Sequence, residues 1–202
     1  MLDGWVRRQL DPALDRMAAA ISAAGIGANA VTFAGAGIGL LAAWAITFGM
    51  FALAVALILA SRLADGLDGA VARIRGKTDF GGYLDIVLDF LFYGAIPLAF
   101  IIHDPVANAL AGATLILSFY VNGASFLAYA VMAEKRALES LERGEKSLFF
   151  TTGLAEATET IAVFVAMCLF PQYFAAIAWC FAAICLYTAA SRVVLASRTF
   201  RD

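Results

Sequence analysis

Four aspartates lie close together in the chain, on stretches rich in apolar residues. Asp65 and Asp68 are three residues apart, and Asp85 and Asp89 are four apart. Residues at these spacings share one face of a helix. A short turn between the two pairs makes their helices antiparallel, so we expect all four carboxylates to meet at one place.

Carboxylates in apolar surroundings repel one another, and each costs about 3 kcal/mol in a membrane-spanning helix. A divalent cation relieves this repulsion, because carboxylate oxygens suit Mg²⁺, Mn²⁺ and Ca²⁺. Mg²⁺ is commonly held by a few carboxylates together with substrate phosphates. The cluster therefore predicts phosphate chemistry at a metal site. The alternatives are solvated aspartates at helix ends, or ion pairs with Arg62, Arg73 and Arg75.

Small residues follow the first pair of aspartates, and a basic residue comes after them. Gly69 and Ala72 fall around the same helix face as the aspartates, so they leave room for a bulky ligand; helix packing also explains them. Arg73 lies on the same side, and its guanidinium suits a forked contact with a diphosphate. The alternative for Arg73 is a snorkelling arginine at the membrane surface.

Composition places these residues in a membrane protein. Of the 202 residues, 63% are hydrophobic, whereas a soluble domain is nearer half apolar. The apolar blocks are roughly 20 residues long, the length of a membrane-spanning helix. We predict an all-α, polytopic protein with one catalytic domain over 1–202. Its six spans are predicted at 30–49, 51–73, 81–102, 106–133, 149–169 and 173–196.

The first 24 residues are predicted to form an amphipathic helix at the membrane interface, outside the six-helix bundle of residues 30–196. Asp11 before Pro12 reads as the start of a helix, with proline at its first position. Gly35, Gly37 and Gly39 in the first span indicate close helix packing.

Charge predicts the orientation. With six spans and a cytoplasmic N-terminus, all fourteen lysines and arginines lie on the cytoplasmic side. Positive charge marks that side of a membrane protein. We therefore expect both termini, and the end of the bundle that carries the aspartates, to face the cytoplasm.

The aspartates belong to a longer pattern. It reads Asp65-x2-Asp68-Gly69-x2-Ala72-Arg73-x7-Gly81-x3-Asp85-x3-Asp89. This pattern closely resembles the signature of the CDP-alcohol phosphotransferase family, with a shorter gap between Arg73 and Gly81 than many members have. Asn29-Ala30-Val31-Thr32 also resembles the Asn-x-x-Thr with which the family's first span begins.

The resemblance implies metal-dependent transfer of a phosphatidyl group from CDP-diacylglycerol to a hydroxyl acceptor, with release of CMP. Asp65, Asp68 and Asp85 would then hold a pair of divalent ions, Mg²⁺ or Mn²⁺, and Asp89 would join the metal shell or act as the base. The CDP moiety would contact four residues of the signature: Asp65, Gly69, Ala72 and Arg73. A homodimer in the bacterial inner membrane is expected, with membrane lipids and no nucleic acid as partners.

The acceptor is predicted less sharply. Lys135, Arg136 and Arg192 are expected at the cytoplasmic ends of their spans, where family members bind an acceptor phosphate with basic residues. The fifth span departs from that picture, because Glu156 and Glu159 share a face there and suit an amine or a polyol. Glycerol 3-phosphate is the leading acceptor, and inositol phosphate, serine and lipid alcohols stay open.

A divalent-cation transporter is the alternative of a different class, since such proteins also place acids in their spans. Transporters commonly contain internal repeats with broken helices that meet near the midplane. No repeat is evident in this sequence, and the aspartates lie toward one membrane face next to arginines. These features favour the enzyme.

Overall fold

The computed structural model describes residues 3–136 and 157–200, and this part of the chain contains helices and turns without a strand. The predicted all-α class is confirmed. The helices are α1 (Asp3–Ala23), α2 (Ala28–Thr47), α3 (Phe51–Arg75), α4 (Asp79–His103), α5 (Pro105–Lys135), α6 (Ala157–Leu169) and α7 (Phe174–Thr199), with a 3₁₀ turn at Pro171–Tyr173 before α7.

Four of these helices are long and apolar enough to cross a membrane: α2, α4, α5, and α7 with its preceding turn. The protein is therefore polytopic, as predicted. Helix α3 has 25 residues but carries Arg62 near its middle and Asp65 and Asp68 in its second half. Helix α6 has 13 described residues, and the predicted fifth span begins at 149, outside the described part. The count of six spans stays a prediction.

Short connections reverse the chain between successive helices. Gly76, with φ +98°, ends α3, and the Thr78 hydroxyl caps α4 by accepting a hydrogen bond from the Gly81 N–H at 3.0 Å. At the opposite end of the bundle, the His103 ring lies 3.4 Å from the Thr47 carbonyl oxygen. Connections this short make neighbouring helices antiparallel, so the ends of α2 and α4 meet at one side.

The main apolar core fills the half of the bundle near His103. It includes the fully buried rings of Phe92, Phe100, Phe164 and Phe174, and the Phe100 and Phe174 rings stack at 4.4 Å between centroids. The core therefore fixes α2, α3 and α4 at the His103 end of the bundle. The other halves of these helices, toward Gly76, are left to form a polar site.

Helix α1 packs on α3 through a separate, smaller cluster, in which Leu14 and Ala18 meet Leu67, Ala70 and Val71. The prediction that α1 begins at Pro12 was wrong, because the helix starts at Asp3 and contains the proline. A proline inside a helix removes one backbone hydrogen bond. After the proline, Leu14 and Ala18 hold the helix against α3.

Candidate active site

Three of the predicted aspartates form a group where α3 meets α4. One carboxylate oxygen each from Asp65, Asp68 and Asp85 lie within 4.8 Å of one another. Asp68 is only 7% exposed, and no hydrogen-bond donor among the described residues reaches its Oδ2. A buried oxygen without a partner, beside two more carboxylates, fits the oxygen ligand set of a divalent cation.

Asp89 is not one of the three members of this group, but it lines the same cavity as Asp65 and Asp85. Its Oδ1 accepts a hydrogen bond from Nη1 of Arg62 at 2.7 Å, and the same nitrogen lies 3.6 Å from Asp65. The ion-pair alternative therefore applies to Arg62. It does not apply to the other two arginines: Arg73 binds Asp15 of α1, and Arg75 donates to groups at the end of α1.

A small cavity lies between Asp89 and two members of the carboxylate group, Asp65 and Asp85. It is lined from three helices, by Thr32, Gly35 and Ala36 of α2, by Ser61, Arg62 and Asp65 of α3, and by Asp85, Leu88 and Asp89 of α4. Helix α2 approaches closely because Gly35 lacks a side chain. A Cβ at Gly35 would lie 3.0 Å from the Cβ of Ala64, so any larger residue would push α2 away from the carboxylates.

The residues predicted to bind CDP lie toward the Arg75 end of α3. Apart from the chain neighbours and the backbone of α3 itself, no heavy atom of the described residues lies within 4 Å of a Cβ built on Gly69, so this part of the chain leaves the space beside the glycine open. Ala72 is half-buried. Nη2 of Arg73 lies 2.9 Å from Oδ1 of Asp15, and both side chains are about half exposed, at 49% and 59%. Water-exposed ion pairs of this kind are weak, so Arg73 exchanges its partner easily.

Arg192 faces helix α5. Its Nη1 donates to the carbonyl oxygen and to Oδ1 of Asn122, both at 3.0 Å, and to Oγ of Ser125 at 2.6 Å. These partners are uncharged, and no carboxylate oxygen of the described residues lies within 4.0 Å of Arg192. Arg192 is half-buried, and its positive charge has no carboxylate partner in that part of the chain.

The contact between α4 and α5 relates Arg192 to the aspartates. Gly123 follows Asn122, and the Phe90 ring occupies the space in which a Gly123 side chain would stand. Phe90 in turn follows Asp89. Asn122 and Asp89 therefore lie at the same depth in the bundle on neighbouring helices, with Arg192 against Asn122.

The remaining predicted acceptor residues are not gathered there. Arg136 lies at the far end of α5, where its Nη2 donates to the carbonyl oxygen of Phe200 at 3.1 Å. Lys135 is exposed one residue earlier, and Glu159 is half-buried in the first turn of α6. Glu156 lies outside the described residues.

Sequence reasoning gave no site role to several residues that line the cavity or hold Arg192. Thr32 was recognisable, because it ends the Asn-x-x-Thr pattern of the first span. Arg62 had only its spacing of three from Asp65 as a signal. Asn122 and Ser125 had none, since their contacts join positions 70 and 67 residues apart.

Comparison with known proteins gives the family directly. The family model described as CDP-alcohol phosphatidyltransferase matches residues 26–195. The inner membrane protein YnjF of Escherichia coli is 44% identical over 193 residues, which are 96% of this chain and 94% of that protein. The archaetidylinositol phosphate synthase of Pyrococcus horikoshii is 29% identical over 164 residues, which are 80% of this chain and 87% of that protein.

Solved structures share the fold. Phosphatidylinositol phosphate synthase (PgsA1) of Mycobacterium tuberculosis with CDP-DAG bound superposes with a TM-score of 0.70 at 20% identity, covering 89% of this chain and 91% of that one. The same enzyme in complex with manganese and citrate gives 0.71 at 21% identity, covering 89% and 87%. The family model covers most of this chain and includes the whole predicted signature. This chain therefore belongs to the CDP-alcohol phosphatidyltransferase family and is a membrane transferase of phospholipid biosynthesis.

Proposed function

We propose that the protein transfers the phosphatidyl group of CDP-diacylglycerol to the hydroxyl of a small phosphorylated acceptor and releases CMP. The observation that carries this proposal is the group formed by Asp65, Asp68 and Asp85, with a buried Asp68 oxygen that has no donor among the described residues. Mg²⁺ or Mn²⁺, two ions held by these carboxylates, would supply neutralising charge at the donor's diphosphate.

The donor binds along α3 in this proposal. The open space beside Gly69 accommodates the nucleotide, and Ala72 keeps the neighbouring turn of the helix small. Arg73 exchanges the exposed carboxylate of Asp15 for an oxygen of the diphosphate, to which a guanidinium offers two parallel N–H groups. The acyl chains stay in the bilayer.

Asp89 acts as the base. Its Oδ1 is held by Arg62, and the other carboxylate oxygen accepts the proton of the acceptor hydroxyl. The acceptor oxygen forms a bond to the phosphorus that carries diacylglycerol, and the bond from this phosphorus to the CMP oxygen breaks. CMP leaves with the electron pair, and Asp89 passes its proton to water.

Arg192 binds the acceptor's phosphate. Its charge has no carboxylate partner among the described residues, and it lies against Asn122 at the depth of Asp89. Glycerol 3-phosphate is the acceptor expected from the sequence, while the archaeal relative is by name an archaetidylinositol phosphate synthase, a name that fits inositol phosphate as acceptor. Both acceptors carry the phosphate that Arg192 would recognise.

The test is turnover by the purified full-length protein in lipid nanodiscs. CDP-diacylglycerol is supplied with Mg²⁺ and one acceptor at a time: glycerol 3-phosphate, inositol phosphate or serine. We expect CMP release and a new phospholipid, identified by mass spectrometry, with a phosphorylated acceptor. Turnover with serine but with neither phosphorylated acceptor would overturn the proposal that Arg192 binds an acceptor phosphate. Absence of CMP release with all three acceptors would count against the reaction itself.

The proposal also sets the protein in a bacterial inner membrane, as a homodimer of one catalytic domain with both termini and the active site on the cytoplasmic side. The name of the Escherichia coli relative supports the membrane, and the basic residues at the Arg75 end support the orientation. In a variant without the native cysteines, a cysteine at position 77 is expected to react with a membrane-impermeant maleimide only from the cytoplasmic side. A cysteine at position 103 is expected to react only from the other side.

A further inference from the structure

Arg62 is a cation that the chain itself places among the carboxylates of the site. Its Nη1 lies 2.7 Å from Oδ1 of Asp89 and 3.6 Å from Oδ1 of Asp65. In the part of the chain that the structure describes, no other lysine or arginine nitrogen lies within 4.0 Å of any of the four aspartates. A single arginine therefore serves a site that contains four acids.

The arginine reaches the carboxylates through one nitrogen. Nη1 contacts both of them, Nη2 donates to Oγ of Ser61 at 3.1 Å, and Nε is buried with no acceptor among the described residues. A bidentate pair would instead direct two parallel N–H groups at one carboxylate and fix its orientation. Arg62 therefore supplies the carboxylates with charge more than with geometry.

Packing holds Arg62 in this place. Its Cζ lies 4.1 Å from the centroid of the Phe92 ring, and its side chain is 11% exposed. Oγ of Ser61, which accepts from Nη2, itself donates to the carbonyl oxygen of Gly35 at 2.8 Å. A Cβ on Gly39 would lie 2.7 Å from the Phe92 ring, so this glycine lets α2 close over the ring. A side chain enclosed in this way keeps its position whether or not the carboxylates hold a metal ion.

A fixed cation at this position acts on metal binding in two opposite ways. Without metal, it balances part of the charge of Asp65 and Asp89, which is costly inside the bundle when unpaired. With metal, it repels the divalent ion, because like charges a few ångströms apart in a protein oppose each other strongly. The buried Oδ2 of Asp68 still has no donor among the described residues. Arg62 therefore weakens the need for a metal ion without removing it.

We propose that Arg62 is a built-in counter-ion of the carboxylate site, which keeps the metal-free site folded and lowers its affinity for divalent ions. The inference rests on the proposed function and names the residue that sets how tightly the site holds its ions. A lowered affinity makes metal occupancy depend on the donor, because Mg²⁺ is commonly held by a few carboxylates together with substrate phosphates.

Arg62→Gln tests the effect on affinity, because it removes the charge and keeps a polar side chain. Mn²⁺ binding is followed by electron paramagnetic resonance on the purified full-length protein without substrate, in nanodiscs of zwitterionic phosphatidylcholine that adds no anionic sites. We expect Arg62→Gln to bind Mn²⁺ at least about ten-fold more tightly than the wild type, since a unit and a double charge repel each other by more than this over a few ångströms.

Two further variants separate charge from other effects. Arg62→Lys keeps the charge, so its Mn²⁺ affinity is expected to stay within about three-fold of the wild type. Arg75→Gln is the matched control on the same helix, because Arg75 is exposed and donates to groups at the end of α1. It loses the same charge outside the cavity and is expected to bind Mn²⁺ as the wild type does.

Thermal unfolding tests the effect on the metal-free site and needs no turnover. In EDTA, Arg62→Gln is expected to unfold at a lower temperature than the wild type, because Asp65 and Asp89 lose their buried partner. Saturating Mn²⁺ is expected to remove most of this difference, since a ligand that binds the folded state stabilises it. The rise in unfolding temperature on adding Mn²⁺ is therefore larger in Arg62→Gln than in the wild type.

Each outcome supports or overturns the proposal. Unchanged or weaker Mn²⁺ binding in Arg62→Gln would overturn it, and so would equally tight binding in Arg62→Lys, which would make packing rather than charge the cause. Arg62→Gln protein that fails to fold even in saturating Mn²⁺ would also overturn it, because the ions supply more positive charge than the arginine did. A wild type that binds Mn²⁺ but releases no CMP would refute the proposed reaction alone.

Discussion

Two arginines point into the bundle from different helices, and the chain treats them in opposite ways. Arg62 of α3 meets a carboxylate at 2.7 Å and an aromatic ring at 4.1 Å. Arg192 of α7 meets an amide, a carbonyl oxygen and a hydroxyl, and its Cζ lies 5.6 Å from the centroid of the Phe126 ring; none of these groups is charged. A charge among apolar helices is costly unless it is paired or serves a ligand. This difference is why we propose that Arg192 binds an anion, whereas Arg62 is already paired within the protein.

On this proposal, the molecule has two working halves. Helices α1 to α4 carry the aspartates, Arg73 and the open space beside Gly69. Helices α5 and α7 carry Arg192 and its partners. If this division is correct, changes in the first half alter metal binding, donor binding or the chemical step, and changes in the second half alter only the acceptor's KM.

The largest effect is expected at the carboxylate group. Asp85→Asn replaces one of the three carboxylates whose oxygens lie within 4.8 Å of one another by an uncharged amide. Changes in groups that only support metal ligands already cost about 10- to 100-fold, so loss of a ligand is expected to lower both Mn²⁺ affinity and kcat by more than about 100-fold. Metal titration and CMP release measure the two quantities.

Asp79→Asn is the matched control, because Asp79 is an exposed acid in the first turn of the same helix. It is expected to leave both quantities unchanged. Wild-type Mn²⁺ affinity in Asp85→Asn would contradict the metal site and remove the basis for dividing the molecule at α4.

The sequence predicted the site in the first half of the molecule better than the contacts of Arg192 in the second half. The spacings within Asp65–Asp68 and Asp85–Asp89 could be converted into a shared site because helical geometry fixes which residues share a face. Chain reversal at Gly76 needed only a short turn. The contact of Arg192 with Asn122 joins positions 70 residues apart, and it depends on the register between two helices that local spacing does not determine.

Arg62 shows a second limit, which is set by packing. The sequence offered Arg62 as a possible ion-pair partner of the aspartates without saying which one, and its shorter contact is with Asp89 of α4 rather than with Asp65 of its own helix. The choice depends on Phe92 and Ser61, which hold the guanidinium in one rotamer. Glu156 and the predicted start of the fifth span lie outside the described residues, so those predictions stay predictions.

The next effect in size concerns the donor. Gly69→Leu fills the open space proposed for the nucleotide. Overpacking of a well-fitted site typically costs about 1–3 kcal/mol, so the KM for CDP-diacylglycerol is expected to rise by about 10- to 100-fold with Mn²⁺ binding unchanged. Gly37→Leu, at another open position, is the control and is expected to bind the donor normally. Equal donor affinity in both variants would favour helix packing as the role of Gly69.

A smaller effect is expected in the second half. Arg192→Gln removes the charge and keeps hydrogen-bonding groups that can reach Asn122. A hydrogen bond to a charged group is worth about 1.5–3 kcal/mol, and partial replacement by the amide limits the rise in acceptor KM to about 10-fold. Donor KM and Mn²⁺ binding are expected to stay as in the wild type. A change in donor KM instead would show that the two halves do not act separately.

The smallest effect tests the exposed pair of Arg73 and Asp15, which joins α1 to the proposed donor site through a hydrogen bond of 2.9 Å. Asp15 competes with the diphosphate for the guanidinium, so Asp15→Asn is expected to lower the donor KM. Exposed pairs are worth about 0–1 kcal/mol, which limits the change to about five-fold.

Salt provides the internal control for this change. Screening at about 1 M salt reaches down to roughly 3 Å, so the difference between Asp15→Asn and the wild type is expected to vanish there. A higher donor KM in Asp15→Asn would mean that α1 orients Arg73 instead of competing for it. The N-terminal helix would then belong to the donor half as a working part, and shortening it would affect donor binding more than acceptor binding.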